Sequence, residues 1–251
     1  MTPHEWNATD YDVTNAGIIE LGLEVLDRLE LTGNETVVDA GCGTGVLTEK
    51  LVERVPHGHV IGVDASQKMV EQAEQRFADN ENVEVILCDL LDLDLEGKLV
   101  DAIFSTATLH WVLDHEQLFR NFYGVLKSGG RLVAQCGGDG NIAEIQRAYL
   151  AVAGVEPFVD FVGDFVPTFF ADPDDTERRL LDAGFRSADC WLEDRPIIPE
   201  DKGKHLREIV LGSHMQRLPE ELQESFAETV EQVLGDWESV DYVRLNIDAV
   251  A

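Results

Sequence analysis

VVDAGCGTGVLTEKL, residues 37–51, places an apolar pair and an acid ahead of three glycines in five positions and follows them with an amphipathic run. Val37 and Val38 suit a buried strand, and the helical spacing of apolar residues from Val46 onward suits a helix, so the glycines fall on a strand-to-helix turn. Without Cβ atoms, Gly41, Gly43 and Gly45 can turn sharply, take φ above zero and bring backbone N–H groups against a ligand. The alternation continues downstream. ETVVDAG, HVIGVDA, VEVILCDL, VDAIFSTA and GRLVAQCG are apolar runs of strand length, and VLTEKLVERV, QKMVEQAEQRF and HEQLFRNFYGVLKSGG carry helical stripes between them. In the last of these, Asp114 is placed to cap the helix and Gly129 with Gly130 to end it. Strand and helix in alternation predict an α/β fold with a doubly wound parallel sheet.

Beyond residue 140 the rhythm loosens. Asp172, Pro173 and the stripe through Leu180 and Leu181 to Gly184 predict a capped helix leading to a strand around SADCWLE. Two helices are expected near residues 200–217 and 219–234, and VDYVRLNIDAV closes the chain as a strand. No repeat or low-complexity linker divides the 251 residues, so one domain is expected.

In an open α/β sheet the ligand sits beyond the carboxyl ends of the strands, where strand order reverses. Asp64 ends the second run nineteen residues after Gly45, the spacing for a carboxylate that accepts from both ribose hydroxyls. A nucleoside ligand follows. A dinucleotide fingerprint would need glycine at position 46, where Val46 stands, and no G-K-[ST] offers a lysine to a triphosphate.

Charge narrows the partners. The chain carries 49 acids against 19 bases, formally −30, spread along its length. Such a field repels phosphate backbones and anionic lipid, which argues against nucleic-acid and membrane partners. Lysine is scarcer than arginine, and acids crowd segments such as ADPDDTE and LPEELQE. This acidic, lysine-poor surface resembles those of salt-loving (halophilic) proteins, whose charges are screened within about 3 Å at 1 M salt. No stretch approaches the roughly 20 apolar residues of a membrane span, and the polar start MTPHEWNATDYD is unlike a signal peptide, so a cytoplasmic location is expected. Cys42, Cys88, Cys136 and Cys190 lie far apart with no C-x-x-C pair, which suggests neither a metal site nor a disulfide framework.

The ordered set of motifs resembles the class I S-adenosylmethionine-dependent methyltransferases. It comprises VVDAGCGTG, VIGVDASQKMVEQA, VILCDL, VDAIFSTATLHWV and LKSGGRLV. The resemblance implies a Rossmann-like, doubly wound and mostly parallel seven-stranded sheet with helical lid and cap insertions, and S-adenosylmethionine as cofactor, leaving S-adenosylhomocysteine. It assigns Asp39 to orient the glycine loop and face the methionyl amino group, and Gly41, Gly43 and Gly45 to pass beneath the methionyl and ribose portions. Asp64 would hold the ribose, Met69 pack on the adenine, Asp89 accept from the adenine amino group, and the Leu90 N–H meet the ring. Ser105 and Thr106 would line the methionyl pocket.

Methyl transfer mainly requires alignment of the acceptor and exclusion of water, and a base only where the acceptor must lose a proton. His110 in TLHWV is the candidate base or acceptor-positioning residue, and Trp111 beside it either walls the acceptor pocket or anchors the next loop. EWNATDYD, STATLHW and DYVRLNIDA look like the subgroup around trans-aconitate 2-methyltransferase. That implies an N-terminal lid over residues 1–20 holding Trp6 and Tyr11, a core over 35–136, and an acceptor cap from 140–170 and 197–235. A small carboxylate acceptor would then call on arginine, and Arg195 and Arg244 are the candidates, although a tricarboxylate needs more than one. STAT stands where nucleic-acid and protein amide methyltransferases carry an N-P-P-Y-like motif. A cofactor-binding regulatory or scaffold protein shares these motifs, so sequence leaves that alternative open. Nothing in the sequence reports the oligomeric state.

Overall fold

Val37, Val38 and Ala40 are fully buried, as befits the first strand, β1 (Thr36–Ala40), which lies in the interior of the sheet. The computed structural model describes residues 16–251, with side chains from residue 19 onward. The other strands are β2 (His59–Asp64), β3 (Val83–Leu87), β4 (Val100–Thr106), β5 (Leu126–Gly137), β6 (Ser187–Asp194) and β7 (Val243–Val250). They form one seven-stranded sheet in the order β3-β2-β1-β4-β5-β7-β6. All neighbours run parallel except β7, which is antiparallel to both β5 and β6. The chain builds outward from β1 to β2 and β3, then returns to lay β4 on the other side of β1. This reversal opens a crevice above the carboxyl ends of β1 and β4.

Two apolar clusters cover the sheet. Phe119 and Phe122 of the helix His115–Val125 pack with Ile103 and Leu132 in one, and Leu26 of the helix Ala16–Arg28 packs with Phe104 and Val133 in the other. Losing any of these phenylalanines to alanine would cost about 3–5 kcal/mol. A third cluster joins Ile145, Tyr149 and Val152 of the helix Ala143–Ala153 to Phe226 and Val230 of the helix Glu220–Leu234. The segments expected to form an acceptor cap therefore share an apolar core of their own. Among the described residues no helix is long and apolar enough to cross a membrane.

Two expectations need correction. Asp114 does cap the helix His115–Val125, accepting from the Gln117 N–H at 2.9 Å, but the helix ends before Gly129 and Gly130. Those glycines lie inside β5, where Gly129 has φ +81 and its N–H reaches the Ala251 carbonyl at 2.8 Å, against the chain's last residue. Near residues 200–217 the expected single helix is broken into a turn at Lys202–Lys204, a π-helical stretch His205–Val210 and a short helix Gly212–Arg217. By contrast, Asp172 caps the helix Pro173–Ala183 through the Asp175 N–H at 3.1 Å, and Gly184 ends it at φ +118.

Candidate active site

The glycine turn meets its neighbours closely. A Cβ at Gly41 would lie 2.0 Å from the Thr108 hydroxyl oxygen, and the residue takes φ +84, so both space and backbone require glycine. Gly43 takes φ +56, and no described atom lies within 4 Å of where its Cβ would stand, so this part of the loop faces the crevice. The loop's N–H groups do not face it. Gly41 and Cys42 donate to the Val63 carbonyl at 2.8 and 3.0 Å, Gly45 to the Cys42 carbonyl at 3.0 Å, and Gly43 to Asp64 Oδ2 at 2.9 Å. The expectation that the glycine amides meet the ligand is therefore corrected: strand β2 takes those of Gly41, Cys42 and Gly43, the loop's own Cys42 carbonyl takes that of Gly45, and these positions present Cα and carbonyl surface. A phosphate-binding turn would leave such donors free.

Acids surround the turn instead, Asp39 buried beneath it. Asp64 Oδ1 accepts from the Ser66 N–H at 2.8 Å, which fixes the carboxylate beside Gly43. Asp39 is 2 % exposed and accepts from the Thr48 hydroxyl at 2.6 Å. Burial, and secondarily the nearby Asp64 charge, push its carboxyl up to about 7 against the opposing Thr48 bond. Asp89 caps the turn Leu90–Asp92 through the Leu91 N–H at 2.9 Å. Asn121 holds this turn from behind by donating to the Leu90 and Leu91 carbonyls at 3.0 and 2.7 Å. Met69 is buried near the start of its helix, with its N–H on the Ser66 hydroxyl oxygen. Ser105 is buried with its hydroxyl on the Ala40 carbonyl at 2.7 Å, and Thr106 ends β4 beside it. Carboxylates at or just past the ends of β1, β2 and β3, around a turn whose glycine amides are engaged within the fold, suit hydroxyls, an ammonium and an amino-purine. They do not suit phosphate.

A second cleft opens past β4 and β5. His110 and Trp111 line it with Asn141, Phe170, Tyr242 and Arg244. His110 Nδ1 accepts from the Gly137 N–H at 3.2 Å, so its proton lies on Nε2. Burial, with the Arg244 charge and then His115 adding to it, pushes the imidazole down to about 3 and keeps it neutral. Arg244 is 6 % exposed, and its guanidinium lies 4.6 Å over the Tyr242 ring, whose hydroxyl meets His205 Nε2 at 3.0 Å. The Trp111 ring stands 5.1 Å from His110. Ala107 and Ile142, both in the cleft wall, take φ +53 and +49, a left-handed conformation costly for a side chain with a Cβ.

Arg195 does not join Arg244. It pairs with Glu24 at 2.7 Å and Glu193 at 2.9 Å. Trp6 and Tyr11, and most of the expected lid, lie outside the described residues. Asn121, Asn141, Phe170 and Tyr242 escaped the sequence reading: Asn141 and Phe170 sit in segments without a motif, and Asn121 and Tyr242 in stretches read for their helix stripe or strand and not for side-chain chemistry. The signal available was the stretch DYVRLN leading into β7, which places Tyr242 two residues from the candidate Arg244.

The sheet order, the glycine turn and the strand-end acids define a Rossmann-like methyltransferase architecture. The methyltransferase domain family matches residues 37–130. An uncharacterised methyltransferase of Schizosaccharomyces pombe is 33% identical over 195 residues, covering 74% of this chain and 72% of that protein. Trans-aconitate 2-methyltransferase of Variovorax paradoxus is 32% identical over 160 residues, 64% of this chain and 60% of the enzyme, so the chain spans less than two thirds of that relative. The YcgJ protein of Bacillus subtilis shares the fold, with a TM-score of 0.61 at 18% identity over 92% of this chain and 97% of that one. The chain belongs to the class I S-adenosylmethionine-dependent methyltransferases.

Proposed function

We propose that this chain methylates the carboxylate of a small-molecule acid held in the cleft between β4, β5 and β7. The observation that carries the reading is Arg244: a buried guanidinium in the acceptor wall of a protein whose net charge is −30. A buried cation there selects an anionic acceptor, and its planar donors match a carboxylate. The relative named for trans-aconitate acts, by that name, on an acid, which supports the same chemistry.

The residues at the first crevice fit the cofactor. Asp39 would hold the methionyl ammonium, Asp64 the ribose hydroxyls, and Asp89 with the Leu90 N–H the adenine edge. Gly41, Gly43 and Gly45 would lie beneath, with Met69, Ser105 and Thr106 completing the walls. When bound, S-adenosylmethionine supplies a sulfonium methyl: a carboxylate lone pair forms the O–C bond as the C–S bond breaks and its electrons return to sulfur, giving a methyl ester and a thioether. No proton has to be removed. His110 is accordingly a positioning residue, with Nδ1 engaged by Gly137 and Nε2–H free to donate to an acceptor oxygen. Trp111 and the segments over residues 140–170 and 197–235 exclude water from the acceptor, and the chain acts as one domain.

The test is formation of S-adenosylhomocysteine with panels of small acids, phenols and amines. Turnover confined to acids supports the reading. Turnover confined to phenols or amines overturns it, and tight cofactor binding without turnover on any class favours a scaffold role.

A further inference from the structure

Gly137, at the end of β5, gathers the polar groups of the cleft. It is paired in register with Arg244, donates its N–H to His110 Nδ1, and would place a Cβ 2.9 Å from Asn141 Nδ2. Asn141 Oδ1 is taken by the Val243 N–H at 3.0 Å, which turns its amide NH₂ away from that bond. One guanidinium, one imidazole N–H and one amide NH₂ thus sit together at the sheet end, beside the methyl-transfer crevice.

The rest of the wall carries no charge and, apart from Thr168 and the tyrosine hydroxyls, is apolar. Ile142, Tyr149 and Val210 belong to the apolar cluster shared by the two cap segments, and Ile209 stands beside Val210. Trp111 and Phe170 flank the His110 ring at 5.1 and 5.9 Å. Arg244 is the one arginine or lysine among the described residues of the wall. Residues 1–15 contain no lysine or arginine that would add another.

Resting on the carboxylate reading above, we propose that the acceptor is a monocarboxylate with an apolar chain or ring. Its carboxylate sits at the His110–Asn141–Arg244 cluster, and its hydrocarbon lies against Trp111, Phe170 and the cap. A second carboxylate on the far end of the acceptor would be buried against Ile142, Tyr149 and Val210 without a cation, an arrangement that strongly disfavours binding.

Octanoate and octanedioate isolate this effect, because they share a chain length and differ in the distal carboxylate. With the purified chain and S-adenosylmethionine, kcat/KM for octanoate should exceed that for octanedioate by about 10²-fold or more, with 3-phenylpropionate also a substrate and trans-aconitate poor. Ile209→Arg, which sets a cation in the apolar wall, should narrow the gap between octanoate and octanedioate by at least tenfold, with a thermal melt confirming a folded chain. Octanedioate or trans-aconitate equal to or better than octanoate overturns this inference and leaves the carboxylate reading standing. Turnover of phenols or amines alone overturns both. Failure of octanoate and 3-phenylpropionate to turn over, together with their failure to bind the chain loaded with S-adenosylhomocysteine, overturns this inference as well.

Discussion

At the scale of single residues, two buried groups titrate in opposite senses. The Asp39 carboxyl is raised from 3.8 to about 7, so between those values the folded chain keeps a proton that the unfolded chain has released. Stability from Asp39 is therefore present at low pH and lost as pH rises toward 7. The His110 imidazole is lowered from 6.5 to about 3, so the folded chain refuses a proton that the unfolded chain accepts. Its contribution is present above about 6.5 and lost as pH falls toward 3. Denaturant unfolding at pH 5 and pH 7 should show wild type losing about 2 kcal/mol relative to Asp39→Asn over that interval, and a pH-independent difference would contradict a raised carboxyl. Asp64 has a different duty, since it ends β2 and holds the Gly43 and Ser66 amides. Asp64→Ala should weaken S-adenosylmethionine binding by about 1–3 kcal/mol in calorimetry, through the lost charged acceptor. Unchanged affinity would remove Asp64 from the ribose site.

At the scale of elements, β5 links the two clefts. Its parallel edge lies on β4, whose end carries Ser105 and Thr106, and its last residue, Gly137, faces His110, Asn141 and Phe170. A Cβ at Gly137 would come within 2.8 Å of Phe170 Cε1 and 2.9 Å of Asn141 Nδ2. Gly137→Ala should therefore lower kcat/KM for the proposed acid acceptor at least tenfold while leaving cofactor affinity within about twofold, the signature of a change confined to one site. Equal losses in both would show that the strand end is shared. The strands and the glycine turn were legible because local chemistry decides them: buried Val37 and Val38, then residues that must take positive φ. The end of the helix after Asp114 was misread because Gly129 and Gly130 look like a helix stop, whereas their place is set by contact with Ala251, over a hundred residues away. Likewise the loop amides were expected at the ligand, because only the fold shows β2 and the loop's own Cys42 carbonyl taking them. Arg244 was one of two candidate arginines, with Arg195, but Asn141 and Tyr242 became site residues only when β7 was laid against β5.

At the scale of the whole molecule, charge sets the conditions and the two clefts set the chemistry. Many of the charged pairs are exposed surface pairs, such as Lys50–Glu53 and Arg54–Asp27, each worth little by itself. With a net charge of −30, self-repulsion outweighs them, so thermal midpoints should rise as potassium chloride goes from low to molar concentration. A flat or falling midpoint would mean that the acids are already balanced in the fold. The central claim, methyl transfer onto a carboxylate held by Arg244, is tested most directly through the fate of the transferred carbon. S-adenosylmethionine labelled with ¹³C in its methyl group is turned over with an acid acceptor, and the product is treated with mild base. The expected result is that the label leaves as methanol, as it must from a methyl ester. Label that stays on a base-stable ether, amine or carbon would contradict it.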